Sequence, residues 1–294
     1  MVQGFLYGLA SSCSFGLIPL FTLPLMAQGM NTGSILAYRF AISAVVMAVL
    51  LVARRQPLLV CFADLWRLAA LGFFYATAAI TFFFAFRHLD SGVVATLQFS
   101  YPVYVVLYML CFCQEKARWT TFVAMAMSIA GVAMLSLHGG GGGKFSLLGV
   151  GVALFSALLN AGYVAGIQAT RLRVSSGLTI TFFLMLFGAL YSTAYALWDG
   201  SLMLAQGDQW GLLLMLGVVT GVISNLTLVE SIRRIGSTLA SVLGALEPVT
   251  AVSVGVLVFH EAFTWRTCTG TLLIIGAVML IMLAPRLGRR RAAA

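Results

Sequence analysis

Two stretches of this chain repeat the same three widely spaced residues inside apolar sequence. In each stretch a proline is followed thirteen residues later by a glutamate and four residues after that by a tryptophan, as Pro102, Glu115 and Trp119 and again as Pro248, Glu261 and Trp265. The small-residue stretches that follow also match, with a one-residue slip after the tryptophan. Because three such residues recur at identical spacing, the pattern indicates a duplicated unit, and the chain is constrained to fold as two related halves.

The composition places these halves in a membrane. Hydrophobic residues make up 61% and charged residues 9% of the 294 residues, which leaves too little polar surface for a soluble domain of this size. Ten apolar stretches are long enough to cross about 30 Å of hydrocarbon as helices. They cover residues 4–27, 32–53, 66–86, 91–112, 118–137, 145–169, 177–198, 209–231, 237–258 and 264–284. We therefore predict an all-α polytopic membrane protein with ten transmembrane helices.

The basic residues predict the orientation of these helices, because cytoplasmic ends are rich in Lys and Arg. With the N-terminus inside, three of the 17 Lys and Arg residues fall in outer loops and Arg39 falls within a span. The thirteen on the cytoplasmic side are Arg54, Arg55, Arg67, Lys116, Arg118, Arg171, Arg173, Arg233, Arg234, Arg286, Arg289, Arg290 and Arg291. We therefore expect a multi-pass protein of the inner (plasma) membrane with both termini in the cytoplasm, and we interpret the net charge of +9 as a topology signal.

Five helices in each half is an odd number, so the second half must enter the membrane from the opposite side. This is the inverted-repeat plan of secondary transporters, in which the substrate site lies between the repeats and access alternates. We predict a first five-helix repeat at 1–138, a glycine-rich linker at 139–144, and an inverted second repeat with a basic tail at 145–294.

The segments 101–115 and 247–261, with the glycine-containing helices that follow them, resemble the two EamA units of the drug/metabolite transporter superfamily. The resemblance covers about 4–137 and 146–284. Within the superfamily, the length, the Phe-rich third helix and the lack of cavity lysines are similar to those of the YddG-type exporters of aromatic amino acids. The resemblance implies a ten-helix basket with a central cavity, and export of a metabolite or drug.

Two ionisable residues lie inside predicted spans. Glu247 is about 15 Å deep in the ninth span, where a charge is costly enough to indicate function, either substrate contact or proton coupling. The alternative is a protonated structural group that bonds to backbone freed by Pro248. Arg39 in the second span could bind a substrate carboxylate, but we favour snorkelling to the interface or pairing with backbone.

Stripes of aromatic and polar residues on the spans predict the lining of the cavity, which is the usual make-up of a small-molecule pocket. Each stripe alone is also compatible with helix packing. The predicted substrate-binding residues are Tyr75, Ala78, Phe82, Gln98, Tyr101, Asn160, Tyr163, Ser224, Asn225 and Glu247. Among them, Asn160 or Asn225 is expected to hold the polar end of an amino acid, and Ala78 to leave room for a ligand. Small residues at helix-packing spacing predict close approach of helices at Gly162, Gly166, Gly217 and Gly221.

Other classes of function remain as alternatives. The histidines His88, His138 and His260 have no partner at catalytic or metal-binding spacing, so we expect no enzyme activity, no cofactor and no metal. Other substrates are metabolites of different chemistry, hydrophobic cationic drugs, or nucleotide sugars and sugar phosphates, although the last class needs basic residues inside the cavity. A membrane scaffold is the alternative without transport. We expect a small-molecule substrate, contact with membrane lipid, no nucleic acid partner, and a monomer or weak dimer.

The basic-residue asymmetry makes a direct prediction of topology. A reporter that is active only in the cytoplasm should work when fused after Arg173 or Arg291, and it should fail when inserted at 139–143. Comparison of reporter activity at equal expression tests this. Cytoplasmic behaviour of the linker fusion would rule out the inverted five-plus-five arrangement.

Overall fold

The computed structural model describes residues 2–56, 60–85, 88–89, 94, 97–113, 119–136, 146–170, 176–258 and 265–291, and every regular element within these ranges is helical. The predicted linker at 139–144 and the repeated glutamates Glu115 and Glu261 lie outside the described residues.

The helices of the described residues follow one another along the chain in a fixed order. They are α1 (Val2–Gly16), α2 (Ile18–Ala27), α3 (Thr32–Ala53), α4 (Phe62–Ala85), α5 (Tyr101–Cys113), α6 (Trp119–Ser136), α7 (Leu147–Ala169), α8 (Gly177–Trp198), α9 (Gln209–Met215), a π-helical segment (Leu216–Ile223), α10 (Ser224–Ile235), α11 (Ser237–Leu243), α12 (Leu246–Val258) and α13 (Trp265–Arg291).

Seven helical segments of the described residues are long and apolar enough to cross a membrane, and each is either one helix or a run of consecutive helices. They are Val2–Ala27, Thr32–Ala53, Phe62–Ala85, Leu147–Ala169, Gly177–Trp198, Gln209–Ile235 and Ser237–Val258. The other three predicted spans contain shorter apolar helices, at Tyr101–Cys113, Trp119–Met134 and Cys268–Leu280. The predicted second and seventh spans coincide with α3 and α8 in full. The all-helical membrane fold is therefore confirmed.

Three helices extend four or more residues beyond their predicted spans at polar ends, and one of them is α10, which ends at Ile235 where the eighth span was predicted to end at 231. The third span was predicted to begin at residue 66, but α4 begins at Phe62, with Asp64 in its first turn. An acidic side chain at that position is favourable because it faces the positive end of the helix dipole. The tenth span was predicted to end at 284, but α13 continues to Arg291, since arginine is a good helix former.

The predicted first span, 4–27, is two helices and not one. The α-helix ends at Gly16, a turn forms at Leu17, and the chain resumes helical structure at Ile18. Pro19 is the second residue of α2, where a missing N–H group costs nothing, whereas inside a continuous helix it would remove a hydrogen bond. The proline therefore explains why the break lies in the middle of the span.

Both halves are also interrupted just before their repeated prolines. A turn at Phe99–Ser100 precedes α5, whose second residue is Pro102, and a turn at Gly244–Ala245 separates α11 from α12, which contains Pro248. Proline disfavours helical backbone in the preceding residue and cannot donate to the preceding turn. The predicted fourth and ninth spans, 91–112 and 237–258, are therefore not continuous helices.

Helices of one half pack on helices of the other in matched pairs. Helix α1 packs on α10 as α4 packs on α7, α1 on α12 as α5 on α7, and α3 on the π-helical segment as α4 on α8. Two further pairs, α3 with α8 and α6 with α13, each join a helix to its own counterpart in the other half. Exchange of the two halves therefore leaves this packing pattern unchanged.

Matched hydrogen bonds show the same relation at atomic detail. The Ser11 hydroxyl donates to the carbonyl of Ser224 over 2.9 Å. Its counterpart in the second half, Ser156, donates to the carbonyl of Ala78 over 2.7 Å. All four groups are buried, where an unpaired hydroxyl or carbonyl would be costly. The duplication seen in the sequence is therefore a duplication of packing contacts.

The π-helical segment is where the second half contains an additional residue. Gly72 and Gly217 pack against matched positions of α8 and α3 and are 145 positions apart. Ala78 and Ser224 accept the matched hydrogen bonds and are 146 positions apart. A π-helical turn holds more residues than an α-helical turn. The segment Leu216–Ile223 therefore takes up one residue that α4 lacks.

Three of the four predicted close-packing glycines are confirmed. A Cβ atom added at Gly166, Gly217 or Gly221 would overlap Leu71, Ile42 or Ser43 respectively. The prediction for Gly162 is wrong, because the nearest atom of another residue would lie 3.8 Å from its Cβ, an ordinary contact.

The outward helix faces are apolar. Val45, Val49 and Val52 on α3, and Leu190 and Leu197 on α8, each expose more than half of their surface. Continuous apolar faces of this kind are unfavourable in water and match hydrocarbon. The polar groups described below lie between the helices instead.

We predict that Gly221→Ala destabilises the protein by about 1 to 3 kcal/mol through overpacking. The added Cβ displaces the Ser43 hydroxyl, which lies 2.6 Å from the carbonyl oxygen of Arg39 and 2.9 Å from that of Gly217. Thermal unfolding of the purified protein in detergent measures the effect.

Gly151→Ala is the matched control, because a Cβ at this helical position meets nothing within 4 Å. It should raise stability by about 0.5 to 1 kcal/mol, the gain that alanine gives over glycine inside a helix. Equal melting temperatures for the two variants would contradict the packing assigned to Gly221.

Candidate functional site

The interruptions of the helices meet in one layer between the two halves. Gly16, at the end of α1, packs against Thr250 and the carbonyl of Glu247. The π-helical segment reaches the same layer through Thr220, whose carbonyl accepts a hydrogen bond from Arg39. Non-helical backbone at membrane depth is tolerated only where protein or a cavity satisfies it, and broken helices often mark transporter sites.

Arg39 is the buried cation of this layer. Its side chain is 7% exposed, its Nη2 atom donates to the Thr220 carbonyl over 2.9 Å, and its guanidinium carbon lies 5.7 Å from the centre of the Phe15 ring. A cation over an aromatic face is attracted by the ring quadrupole. Of the two roles favoured from the sequence, pairing with backbone is confirmed.

Carbonyl groups of the π-helical segment accept hydrogen bonds from neighbouring side chains. The amide of Asn225 donates to the Gly221 carbonyl over 2.9 Å. The Ser224 hydroxyl donates to Thr220 and the Ser43 hydroxyl lies near Gly217. The predicted site residues Ser224 and Asn225 therefore hold irregular backbone in the functional layer, and both are fully buried.

Glu247 lies on the same side of the layer, in the first turn of α12. Its side chain is partly buried, and its backbone carbonyl faces Gly16, the residue after Phe15, whose ring lies beside the Arg39 guanidinium. Within the described part of the chain, neither Glu247 nor Arg39 belongs to an ion pair with a nitrogen to oxygen distance of 4.0 Å or less. Two opposite charges thus share the layer without touching.

An aromatic group occupies the other side of the layer. The rings of Tyr75 on α4 and Tyr163 on α7 are stacked, with centroids 4.5 Å apart and planes at 14°. Phe40 meets the edge of Tyr75 at 5.2 Å and 89°. The Tyr163 hydroxyl donates to the Asn225 side-chain oxygen over 3.3 Å, so one hydrogen bond joins the aromatic side to the polar side.

Tyr101 links the first half to the turn before Pro248. Its hydroxyl donates to the Ser241 carbonyl over 3.0 Å, and its phenol lies where a side chain at Gly244 would stand. Phe99 lies against its ring at 6.1 Å. Glycine at 244 is therefore required by the close approach of the tyrosine hydroxyl.

The remaining predicted site residues are divided among different surroundings. Ala78 lies in the contact between α4 and α7, where its carbonyl accepts the Ser156 hydroxyl, so close packing fills the room expected beside it. Phe82 packs against the cluster that contains Ala85, whereas Tyr75 belongs to a different cluster. Asn160 is partly buried on α7, and Gln98 has a buried side-chain oxygen that finds no hydrogen-bond partner among the described residues.

Several residues of the layer were not predicted from the sequence. Phe40 and Phe15 lie in apolar runs with no distinguishing period, and Thr220 becomes important only because the helix around it is π-helical. A detectable signal did exist for the inserted residue. An alignment of the two halves changes its offset from 145 to 146 between Gly72 and Ala78.

Comparison with known proteins identifies relatives of the chain. The sequence profile of the EamA-like transporter family matches residues 2–137 and 147–283. A protein of Salmonella typhimurium (strain LT2) described as "Uncharacterized inner membrane transporter YicL" is 26% identical over 222 residues, which cover 74% of this chain and 72% of that protein. A solved structure described as "Crystal structure of protein" shares the fold with a TM-score of 0.85 at 20% identity, covering 98% of this chain and 99% of the other.

The stacked pair makes a prediction about energetic coupling. A double-mutant cycle of Tyr75→Ala and Tyr163→Ala should give a coupling of about 0.5 to 1.5 kcal/mol, the value of an aromatic pair beyond its buried area. The measurement is the thermal stability of both single variants and the double variant.

Tyr75→Ala combined with Tyr7→Ala is the control, because Tyr7 contacts Arg234 at the end of α10. Those two changes should be additive within about 0.5 kcal/mol. Additivity of the Tyr75 and Tyr163 changes would contradict the stack.

Proposed function

The chain belongs to the EamA-like transporter family, and on that premise we propose that it exports small metabolites, above all aromatic amino acids and related amphiphilic compounds. The family is one of transporters, so the protein is a transporter and not an enzyme. The observation that carries the substrate proposal is the juxtaposition of an aromatic group and a charged group between the halves, joined by the bond from Tyr163 to Asn225.

The aromatic group suits the ring of such a substrate. The stack of Tyr75 and Tyr163 is buried and forms the rigid wall. Partly buried aromatic rings that pack against the same core offer faces and edges to a ligand: Phe83, Tyr104, Tyr108 and Phe187. Aromatic side chains supply most of the burial energy of small-molecule sites.

The polar group suits the charged end of the substrate. In this proposal Asn160 or Asn225 holds the backbone end of an amino acid, with Glu247 as the substrate contact and the group for proton coupling. One carboxylate cannot hold a proton and a cationic group at the same time, so the two uses exclude one another. Such exclusion is a simple way to link proton entry to substrate release.

The matched packing of the two halves supports alternating access. We propose ten membrane crossings in two inverted repeats, with the site in the layer between them. The pairs α3 with α8 and α6 with α13 each join one half to the other, so rocking of the halves changes access at both ends. The name of the Salmonella relative supports a location in the inner membrane, and we place both termini in the cytoplasm.

A hydrophobic cation is the second candidate substrate. The observation that favours it is the carboxylate of Glu247, which makes no side-chain hydrogen bond or ion pair within the described part of the chain. A carboxylate beside aromatic rings can bind a cation through charge and cation–π attraction. A sugar phosphate is disfavoured, because no span interior contains a lysine to hold its phosphate group.

We predict that Tyr101→Ala and Tyr163→Ala each slow phenylalanine or tryptophan transport severalfold. A lost aromatic contact is worth about 0.5 to 1.5 kcal/mol, up to roughly tenfold in affinity. Uptake of labelled phenylalanine into proteoliposomes, with competition by unlabelled amino acids, measures the change. Phe112→Ala is the control, because that ring is 76% exposed on the outer surface.

Two outcomes would overturn the aromatic substrate. One is stronger competition by lysine or by a sugar phosphate than by tryptophan. The other is transport of phenylalanine at the parent rate by both tyrosine variants. Stronger competition by a hydrophobic cation than by any amino acid would instead favour the second candidate.

A further inference from the structure

The polar side of the central layer holds two opposite charges whose separation is built into the fold. Phe15 and Gly16 are consecutive residues at the end of α1. The Phe15 ring lies under the Arg39 guanidinium, and Gly16 packs against the Glu247 backbone. The Arg39 side chain and the Glu247 backbone therefore both contact the end of α1.

Two contacts of the Arg39 guanidinium keep it from pairing with Glu247. The bond to Thr220 and the contact with Phe15 fix the guanidinium on the side of the π-helical segment. Opposite charges attract strongly where water is scarce, and leaving them unpaired there is unfavourable. A ligand with one negative and one positive group can pair with both and remove this cost.

Arg39 has donors left for such a ligand. A guanidinium carries five N–H groups in a planar fork, and its one hydrogen bond in the described residues uses Nη2. Planar forks bind carboxylates in two-point contacts. When ionised, the Glu247 carboxylate can only accept hydrogen bonds, so its natural partner is an ammonium group.

The two halves are unequal at these positions. The counterpart of Arg39 in the second half is Leu184, whose carbonyl faces Gly72 as the Arg39 carbonyl faces Gly217. The counterpart of Glu247 in the first half is Tyr101. The positions that correspond to Arg39 and Glu247 in the repeat therefore carry no charge. A ligand that matches this layer has its charged groups at one end only.

We propose that Arg39 and Glu247 form a zwitterion clamp, in which the guanidinium binds the α-carboxylate of an amino acid and Glu247 binds its α-ammonium group. This inference rests on the proposed function, because it assigns the head group of the substrate whose ring lies toward Tyr75 and Tyr163. The bond from Tyr163 to Asn225 marks the boundary between the head group and the ring. The clamp selects α-amino acids over amines and acids of the same shape.

A purely structural role of Arg39 makes a different prediction. If the guanidinium served only to satisfy Thr220, its loss would weaken every ligand to the same extent. A clamp weakens only ligands that carry the group that the missing side chain binds. Ligands that lack one charged group therefore separate the two roles.

The experiment measures competition with labelled phenylalanine on the purified protein in detergent. The competitors are phenylalanine, 2-phenylethylamine, which lacks the carboxylate, and 3-phenylpropionate, which lacks the ammonium. In the parent protein both analogues should bind roughly tenfold or more weakly than phenylalanine, since each loses a charge-assisted contact.

Two variants each remove one charged side chain of the proposed clamp. Glu247→Gln should weaken phenylalanine by roughly tenfold and leave 3-phenylpropionate within about twofold of its parent affinity. Arg39→Gln should weaken phenylalanine similarly and leave 2-phenylethylamine within about twofold. For Glu247→Gln the matched control is Glu230→Gln, which removes a carboxylate paired with Arg233 and Arg234 at the end of α10. For Arg39→Gln it is Arg54→Gln, which removes an exposed guanidinium at the end of α3.

The outcomes separate the clamp from the proposed function. No binding of phenylalanine or tryptophan to the parent protein would overturn the proposed function. Two results would overturn the clamp alone. One is that the parent protein binds phenylalanine and both analogues with equal affinity. The other is that Glu247→Gln lowers the affinity for all three ligands to the same extent. If Arg39→Gln fails to fold, the Glu247→Gln comparison decides the question by itself.

Discussion

Backbone carbonyls of the irregular, π-helical part of the protein must find donors inside the protein, because lipid offers none. Arg39 donates to Thr220, Asn225 donates to Gly221, and the Ser43 hydroxyl lies near Gly217. This requirement brings a guanidinium, an amide and a hydroxyl to one layer of a largely apolar protein. The polar half of the candidate site is therefore a consequence of one inserted residue in the second repeat.

The inserted residue also explains how a duplicated fold acquires an asymmetric site. Packing contacts are matched wherever the halves serve the same structural purpose, as the bonds from Ser11 and Ser156 show. At the central layer the match ends, with Tyr101 opposite Glu247 in the repeat. Aromatic rings gather beside α4 and α7, and charges gather beside α1 and the π-helical segment. A molecule with a ring at one end and charges at the other fits this division, which a symmetric pair of halves could not offer.

Much of the fold could be predicted from the sequence, because membrane crossing depends on length and hydropathy. The boundaries of α3 and α8 agree in full with the predicted spans. The break at Leu17 was missed although Pro19 marks it locally, because the apolar run was treated as one helix. The π-helical segment was missed because its additional residue shows only when the two halves are aligned. The site was predicted less well, because it depends on how residues that are far apart in the sequence pack together. Helical stripes predicted that Tyr75 and Tyr163 line one cavity. The stacking of these two rings, and the packing of Phe82 against a different cluster, depend on how α4 packs on α7.

The central claim is that substrate binds in the layer between the halves, with its ring toward the tyrosines and its charged end toward Arg39 and Glu247. A crystal structure with bound 4-bromophenylalanine tests this most directly, because anomalous scattering locates the bromine atom independently of the protein. The account predicts a single peak in contact with the aromatic group around Tyr75 and Tyr163, within about 4.5 Å of its side chains. A peak on the lipid-facing surface, or one on the side of Thr220 and Glu247, would contradict it.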